Sequence, residues 1–69
     1  MMFVLTRDGK LAINSSCINT IYINENLIGD KVCDFELRCT TSDDNDYILN
    51  RVDTEEEAIK ILKILIDRL

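Results

Sequence analysis

The sequence predicts an α+β fold in which a curved antiparallel sheet of about five strands packs against one C-terminal α-helix. A central stretch alternates apolar and polar side chains with the period of two expected of a half-buried strand. Shorter segments rich in β-branched and aromatic residues lie on either side of it and indicate further strands of a meander. The chain then ends in an amphipathic segment whose start carries strong helix signals.

The first two strands are predicted at about residues 2–6 and 10–14, on either side of an Asp-Gly pair. A two-residue Asp-Gly turn would pair Leu5 with Ala12 and divide the large side chains between two faces. A three-residue loop that ends at the glycine would instead pair Leu5 with Leu11. We favour this loop because it gathers the large apolar side chains of both strands on one face. Those side chains are Phe3, Leu5, Leu11 and Ile13.

Residues 17–24 predict a third strand that carries apolar groups on both of its faces. A turn at Gly29-Asp30 then leads into the fourth strand at residues 31–41, whose alternation gives one apolar face and one polar face. The fifth strand, at residues 46–52, follows a polar loop, and its phase stays open. On the fourth strand the inner face is expected to carry Cys33, Phe35, Leu37 and Cys39, and the outer face Asp34, Glu36, Arg38 and Thr40.

The C-terminal helix is predicted over residues 54–69. Thr54 as N-cap with Glu57 three residues later forms a capping box, and further acids fill the first turn, where the helix dipole favours them. At roughly 100° per residue the apolar side chains span an arc of about 160°, wider than the roughly 100° stripe that a core-facing helix needs. Ile64 lies outside even this arc, so part of the helix is left for something besides the sheet.

Composition and charge predict one globular domain over residues 1–69 that stays in a cytosol. Hydrophobic residues make up 46% and charged residues 30%, which is typical of a folded chain. Thirteen acidic against eight basic residues give a net charge of −5, and an acidic surface repels nucleic acid and anionic lipid. No apolar run is long enough to span a bilayer, and the opening residues lack the pattern of a signal peptide.

Patterns that would indicate catalysis or a bound metal are scarce. The three cysteines, Cys17, Cys33 and Cys39, form no CxxC pair, and the chain has no histidine, the commonest general base and metal ligand. The acidic loop before the fifth strand does not match the ligand spacing of an EF-hand, and the two glycines form no phosphate-binding loop. We therefore expect no catalytic residue, no metal and no cofactor, and a protein that acts by binding and is not an enzyme.

Acidic residues cluster in the C-terminal half of the chain. Seven of the thirteen lie between residues 42 and 57, with Arg51 as the only cation there. One interpretation is an acidic face that docks on a basic protein or imitates nucleic acid phosphates. The alternative is that loops and helix starts attract acids for local reasons. The candidate face consists of Asp43, Asp44, Asp46, Asp53, Glu55 and Glu56.

Some apolar side chains exceed what one sheet and one helix can cover. Ile64 lies outside the helix arc, and the favoured hairpin turns Val4 away from the core. Ile18 and Tyr22 also point to the outer face of the third strand. We favour an interface for these four side chains, in a homodimer or with another protein. The alternative is that loops cover them, since small proteins expose many apolar atoms.

Three stretches of the chain resemble a known group of short proteins. They are the opening MFVLTRDGKLAIN, the pattern I-x-x-IYI of residues 18–23 and the ending YILNRVDTEEEAIKIL. In these stretches the chain resembles short proteins with a β-meander and a C-terminal helix that occur in Gram-positive bacteria, their phages and mobile elements. The shared features are a hairpin, a central strand and a capped helix. The resemblance therefore implies a bacterial or phage setting and assigns no functional residue.

The leading functional hypothesis is a small acidic protein of a phage or mobile element that binds and inhibits a host enzyme. An enzyme of bacterial defence that handles nucleic acid would present a basic groove to the acidic face. The alternative hypothesis is a self-associating structural or regulatory module without an inhibitory role. A third is weak binding of nucleic acid, which the net charge disfavours. The cations available for it are Arg7, Lys10, Arg38 and Arg51.

Overall fold

The computed structural model describes residues 2–69 and shows the predicted α+β class, with five strands followed by one C-terminal α-helix. The strands, however, form two sheets and not one. The first two pair with each other, and the other three form an antiparallel sheet whose middle strand is the fourth. The elements are β1 (Phe3–Leu5), β2 (Ala12–Asn14), β3 (Ile18–Ile28), β4 (Lys31–Thr41), β5 (Asp46–Val52) and α1 (Glu55–Arg68).

The β1–β2 hairpin pairs in the register that a two-residue turn would give, so the favoured three-residue loop is wrong. Val4 lies opposite Ile13, and Leu5 lies opposite Ala12. Val4 and Ile13 are only 8% and 6% exposed, while Leu5 is 61% exposed. The faces of β1 are therefore inverted relative to the prediction, whereas Ile13 of β2 is buried as expected. Val4 joins the core, and Phe3 and Leu5, on the opposite face of β1, lie outside it.

Hydrogen bonds inside the loop account for this register. The Thr6 amide donates to the Leu11 carbonyl at 2.9 Å, and the Gly9 amide donates to the Thr6 carbonyl at 2.9 Å. The Asp8 carboxylate accepts from the Thr6 hydroxyl at 2.7 Å and from the Lys10 amide at 3.0 Å. Gly9 has a φ of 71°, which glycine adopts at little cost. These polar contacts close the loop and favour the observed register over the one that groups the large apolar side chains.

A short 3-10 turn, Ser15–Cys17, separates the hairpin from the larger sheet. The Asn14 side chain caps this turn by accepting from the Ser16 amide at 3.1 Å. The turn redirects the chain, so β3 does not pair with β2 and the meander is interrupted. The hairpin meets β5 at its loop instead, where the Arg7 amide donates to the Ile48 carbonyl at 2.8 Å.

The β3–β4 hairpin is longer than predicted and projects past β5. β3 continues to Ile28, beyond its predicted end, and a two-residue turn of Gly29 and Asp30 joins it to β4. Gly29 has a φ of 61° at the first central position, where a type II′ turn favours glycine. The last pair between β4 and β5 is Phe35 with Val52. Beyond that pair no third strand from residues 2–69 lies beside the hairpin.

The core lies between α1 and the inner face of the three-stranded sheet, with the β1–β2 hairpin beside it. Leu37 and Cys39 point inward as predicted, at 2% and 0% exposed. Burial raises the pKa of the Cys39 thiol, and the charge of Asp46 raises it further, so this thiol packs as a small hydrophobe. Cys33 was expected on the same face but is exposed, because it lies in the projecting hairpin. The buried apolar residues are Val4, Ile13, Leu37, Cys39 and Ala58.

Helix α1 begins as predicted, with Thr54 as its N-cap. The Thr54 hydroxyl accepts from the Glu57 amide at 3.2 Å. One flank of the apolar arc stays exposed, since Ile59 and Ile66 are 36% and 57% exposed, and Ile64, outside the arc, is 49% exposed. The helix has 14 residues, fewer than the roughly 20 that cross a bilayer core, and the described part of the chain contains no helix able to span a membrane.

Candidate functional site

The predicted acidic residues form two groups, one at each end of β5. They are the loop acids Asp43, Asp44 and Asp46, and the helix-start acids Asp53, Glu55 and Glu56. An extended strand rises about 3.3 Å per residue, so Asp46 and Asp53 lie about 23 Å apart. That distance exceeds the screening length of about 8 Å at physiological salt. The structure therefore does not assemble one acidic face.

Two of the loop acids have local structural roles. The Asp43 carboxylate accepts from the Thr41 hydroxyl and from the Asn45 side-chain amide, the latter at 2.9 Å. The hydrogen bond from Thr41, together with that from Asn45, lowers the pKa of Asp43. Asp46 accepts from the Thr40 hydroxyl at 2.8 Å. These bonds close the β4–β5 connection, so the local explanation accounts for these two acids.

The helix-start acids are exposed and occupy the end of α1 where the helix dipole favours negative charge. Their position relative to the sheet follows from the strand register. Val52 is the last residue of β5 and pairs with Phe35, and Asp53 comes directly after it. The helix-start acids therefore lie near the base of the projecting β3–β4 hairpin.

Of the four predicted apolar surface residues, the structure brings two together. Val4 and Ile64 both line a groove of about 210 Å³ between β1 and α1, the β1–α1 groove. Val4 is buried in its floor, so the expectation that it faces outward is wrong, whereas Ile64 is half exposed. Ile18 and Tyr22 lie elsewhere, on β3, and both are half-buried. Tyr22 lies opposite Arg38 on the outer face of the sheet.

An exposed apolar cluster at the tip of the β3–β4 hairpin was missed by the sequence reasoning. Leu27 and Val32 are cross-strand partners, and Ile28 follows Leu27 at the turn. Leu27, Ile28 and Val32 are 58%, 74% and 45% exposed, and we call them the hairpin-tip cluster. The signal was the apolar pair before the glycine, which was overlooked because the third strand was predicted to end earlier.

The outer face of the sheet carries a network of charged and amide side chains around Glu36. Arg51 Nε lies 3.0 Å from Asp34 Oδ2, and Arg51 Nη2 lies 3.9 Å from Glu36 Oε2. Arg38 Nη1 lies 3.9 Å from Glu36 Oε1, which also accepts from Asn24 Nδ2 at 3.4 Å. Glu36 was expected to be exposed on this face but is only 6% exposed, because these longer side chains cover it. Arg51 is therefore engaged in the sheet.

The other three candidate cations meet at one depression, which we call the basic groove. Arg7, Lys10 and Arg38 border a space of about 450 Å³ where the β1–β2 loop meets β5. Tyr47 and Ile48 are among the side chains that line it. No local pattern links these cations, because Arg38 is far from the other two along the chain and the fold alone brings it beside them.

The Asp8 carboxylate, at the rim of the basic groove, allows a titration test of the β1–β2 loop. The hydrogen bond from the Thr6 hydroxyl, and then that from the Lys10 amide, lowers the pKa of Asp8 below the ordinary aspartate value. The loop is therefore stabilised above about pH 3.9, and this stabilisation is lost as the pH falls through the lowered pKa. In an NMR titration we expect Thr6→Val to raise the Asp8 midpoint. An unchanged midpoint would contradict the assigned cause.

Within residues 2–69, no group of cysteine, aspartate and glutamate side chains is arranged to hold a metal ion. The surfaces that remain as candidate sites are the hairpin-tip cluster, the helix-start acids, the β1–α1 groove and the basic groove. Comparison of the chain with known protein families, with curated proteins and with solved structures found no match.

Proposed function

We propose that the protein acts by binding a partner protein and not by catalysis, and that the projecting β3–β4 hairpin makes the contact. The observation that carries this proposal is the hairpin-tip cluster, in which Leu27 and Val32 form an exposed cross-strand pair and Ile28, the next residue on the opposite face, is 74% exposed. Contiguous exposed apolar side chains are typical of interaction surfaces, whereas scattered ones are ordinary. A hairpin that extends beyond its own sheet is also free to enter a groove of another protein.

The helix-start acids supply the polar part of the proposed interface. They lie near the base of the hairpin, so an apolar tip and an acidic rim belong to the same end of the molecule. A partner that matches this end carries an apolar pocket beside a basic patch. Complementary charge of this kind speeds association and selects the partner.

The same features support a more specific role. We propose an inhibitor, encoded by a phage or mobile element, that acts in the bacterial cytosol on a defence enzyme that handles nucleic acid. Such enzymes present basic surfaces to their substrates, and this chain has a net charge of −5 and acids beside its projecting hairpin. Binding at the basic surface would exclude the nucleic acid.

Affinity capture from a bacterial lysate, followed by mass spectrometry and a binding assay with the captured protein, tests the hairpin. We expect Ile28→Asp to weaken binding by about tenfold or more, because it places a charge in the apolar contact. The matched control is Ile66→Asp, the same change at a side chain that is 57% exposed on α1. Equal loss in both variants, or full binding by Ile28→Asp, would exclude the hairpin as the contact.

The acidic rim is tested by two variants that change the charge equally. One neutralises the helix-start acids as Asp53→Asn, Glu55→Gln and Glu56→Gln, and the other neutralises the loop acids as Asp43→Asn, Asp44→Asn and Asp46→Asn. Because the two groups lie about 23 Å apart, we expect only the first variant to slow association, by about tenfold at low salt. If the loop variant slowed association equally, the net charge of the protein alone would set the association rate.

A second candidate function, self-association without inhibition, is favoured by the β1–α1 groove. The side chains that line it are largely apolar, and two of these side chains, Leu5 and Ile64, are 61% and 49% exposed. A second copy of the chain would cover them by a two-fold contact. Light scattering over a range of concentrations is expected to show a dimer that Ile64→Glu dissociates. A monomer at every concentration would exclude this candidate.

A further inference from the structure

The basic groove lies at the junction of the β1–β2 loop and β5. The backbone hydrogen bond from the Arg7 amide to the Ile48 carbonyl, at 2.8 Å, holds the loop against the strand. The space between them, about 450 Å³, falls in the range of roughly 300–1,000 Å³ that small-molecule sites occupy. Three cations border it although the chain as a whole has a net charge of −5. The groove therefore has more cations than carboxylates, the reverse of the chain as a whole.

The carboxylates at the groove are engaged by neutral donors. Asp8 accepts from the Thr6 hydroxyl at 2.7 Å and from the Lys10 amide at 3.0 Å. Asp46 accepts from the Thr40 hydroxyl at 2.8 Å. Neither acid forms an ion pair with a cation of the described chain. Both carboxylates therefore weaken the field of the cations without pairing with them, and the three cations still outnumber the two acids.

The cations of the groove keep unused donors. Within the part of the chain that the structure describes, Arg7 and Lys10 form no ion pair with a carboxylate inside 4.0 Å. Arg38 Nη1 is 3.9 Å from Glu36 Oε1, too far for a good hydrogen bond. Arg38 Nε is buried and finds no acceptor among the described residues. Buried donors normally have an acceptor, and an anion in the groove would supply acceptors to this cluster.

We propose that the basic groove binds a small organic phosphate, of the size of a nucleoside monophosphate, whose planar or apolar body packs on Tyr47 and Leu11. A phosphate monoester carries a charge of about −1.5 to −2 at pH 7, which suits three cations better than the single charge of a carboxylate. Guanidinium groups such as those of Arg7 and Arg38 present paired donors that match phosphate oxygens. Tyr47 and Leu11 line the same space and supply the apolar walls.

An extended nucleic acid fits this groove less well than a single phosphate. Asp8 and Asp46 line the groove, and Asp43 and Asp44 lie in the loop just before β5. A chain of phosphates leaving the groove would pass such acids within the screening length of about 8 Å. A monophosphate has one charged group, which stays beside cations that outnumber Asp8 and Asp46, whereas each further phosphate of a chain adds repulsion.

The test uses adenosine 5′-monophosphate as the probe, with calorimetry and amide NMR shifts of the full chain at low salt. We expect saturable binding, with shifts in the β1–β2 loop and at the start of β5, and an affinity about tenfold or more above that of adenosine or inorganic phosphate. The double variant Arg7→Gln, Lys10→Gln should lower the affinity for adenosine 5′-monophosphate by about tenfold or more. The control Lys60→Gln, Lys63→Gln changes the charge equally at exposed sites on α1 and should bind like the parent chain.

Four outcomes would overturn the proposal. The first is that no saturable binding is seen, and the second is that the control variant weakens binding as much as the double variant. The third is that adenosine or inorganic phosphate binds as tightly as the monophosphate. The fourth is that a single-stranded oligonucleotide has a higher affinity per phosphate group than the monophosphate. Arg7 and Lys10 are exposed loop residues outside the ion pairs of the sheet, so both variants are expected to keep the parent fold. Unchanged chemical denaturation curves verify this before binding is measured.

Discussion

Replacing Leu37 with alanine is expected to lower the free energy of unfolding by about 2–5 kcal/mol. Leu37 is 2% exposed on the central strand β4, between its cross-strand partners Ile23 and Asn50. It lines the β1–α1 groove together with Ile61 and Leu65 of the helix. Alanine would leave a cavity where sheet and helix meet. A chain of this size has a total stability of only about 3–10 kcal/mol, so the variant should be marginally folded.

Urea denaturation followed by circular dichroism measures this loss. The matched control is Leu27→Ala, the same change in the same sheet at a side chain that is 58% exposed, with an expected effect within about 0.5 kcal/mol. Leu37→Met keeps the volume and should cost less than about 1.5 kcal/mol. Similar losses for Leu37→Ala and Leu27→Ala would contradict the position of the core.

The elements that the sequence predicted well depend on residues only a few positions apart. The alternation along the fourth strand placed Leu37 and Cys39 inward, as found. Thr54 was identified as the N-cap from its own side chain and the acids that follow it, and its hydroxyl does accept from the Glu57 amide. A period of two and a capping pattern are both readable within a short window.

The first hairpin shows where such reasoning fails. Its two registers differ in which face of β1 joins Ile13 in the core, and the number of large apolar side chains favoured the wrong register. The hydrogen bonds of Thr6 and Asp8 inside the loop favour the other register, and burial of Val4 and Ile13 then follows from it. Each of these bonds joins residues only two positions apart, so the turn chemistry was present in the local sequence. The prediction failed because apolar pairing was given more weight than the polar contacts of the loop.

The candidate sites differ in how far the sequence could have located them. The two acidic groups were separable in advance, because the fifth strand was predicted with its observed bounds, Asp46–Val52, and a strand of that length holds its ends apart. The basic groove could not be predicted from the sequence, because it depends on a tertiary hydrogen bond. That bond brings Arg7 to Ile48, beside the strand that carries Arg38. Tertiary contacts of this kind produce no periodic pattern in the sequence.

The two proposed binding sites lie toward opposite ends of β5. The basic groove includes Asp46, Tyr47 and Ile48 at the start of the strand, whereas the projecting hairpin extends beyond Val52 at its end. Their separation is about 20 Å or more at about 3.3 Å per residue. A phosphate ligand in the groove and a protein on the hairpin would therefore not exclude each other, and variants at one site leave the other intact.

Replacing Glu36 with alanine is expected to lower the free energy of unfolding by about 1–3 kcal/mol. The Glu36 side chain is 8% exposed, and its cross-strand partners are Asn24 on β3 and Arg51 on β5. Alanine removes an acceptor from Asn24 and the carboxylate nearest to Arg38. The loss should stay below that of a fully buried pair, because Arg51 and Arg38 side chains are 43% and 29% exposed and water solvates part of each.

A double-mutant cycle of Glu36→Ala with Arg51→Ala separates coupling across the sheet from the cost of each truncation. If the network aligns the strands, the two losses should be non-additive by about 0.5 kcal/mol or more, since each variant already breaks the shared contact. Glu25→Ala, at an exposed glutamate of the same sheet, is the control and should cost less than about 0.5 kcal/mol. Additive losses, or a Glu36→Ala effect no larger than that of Glu25→Ala, would mean that packing alone sets the register. Glu36→Gln refines the result, because it keeps an oxygen for Asn24 and removes only the charge that Arg38 and Arg51 share.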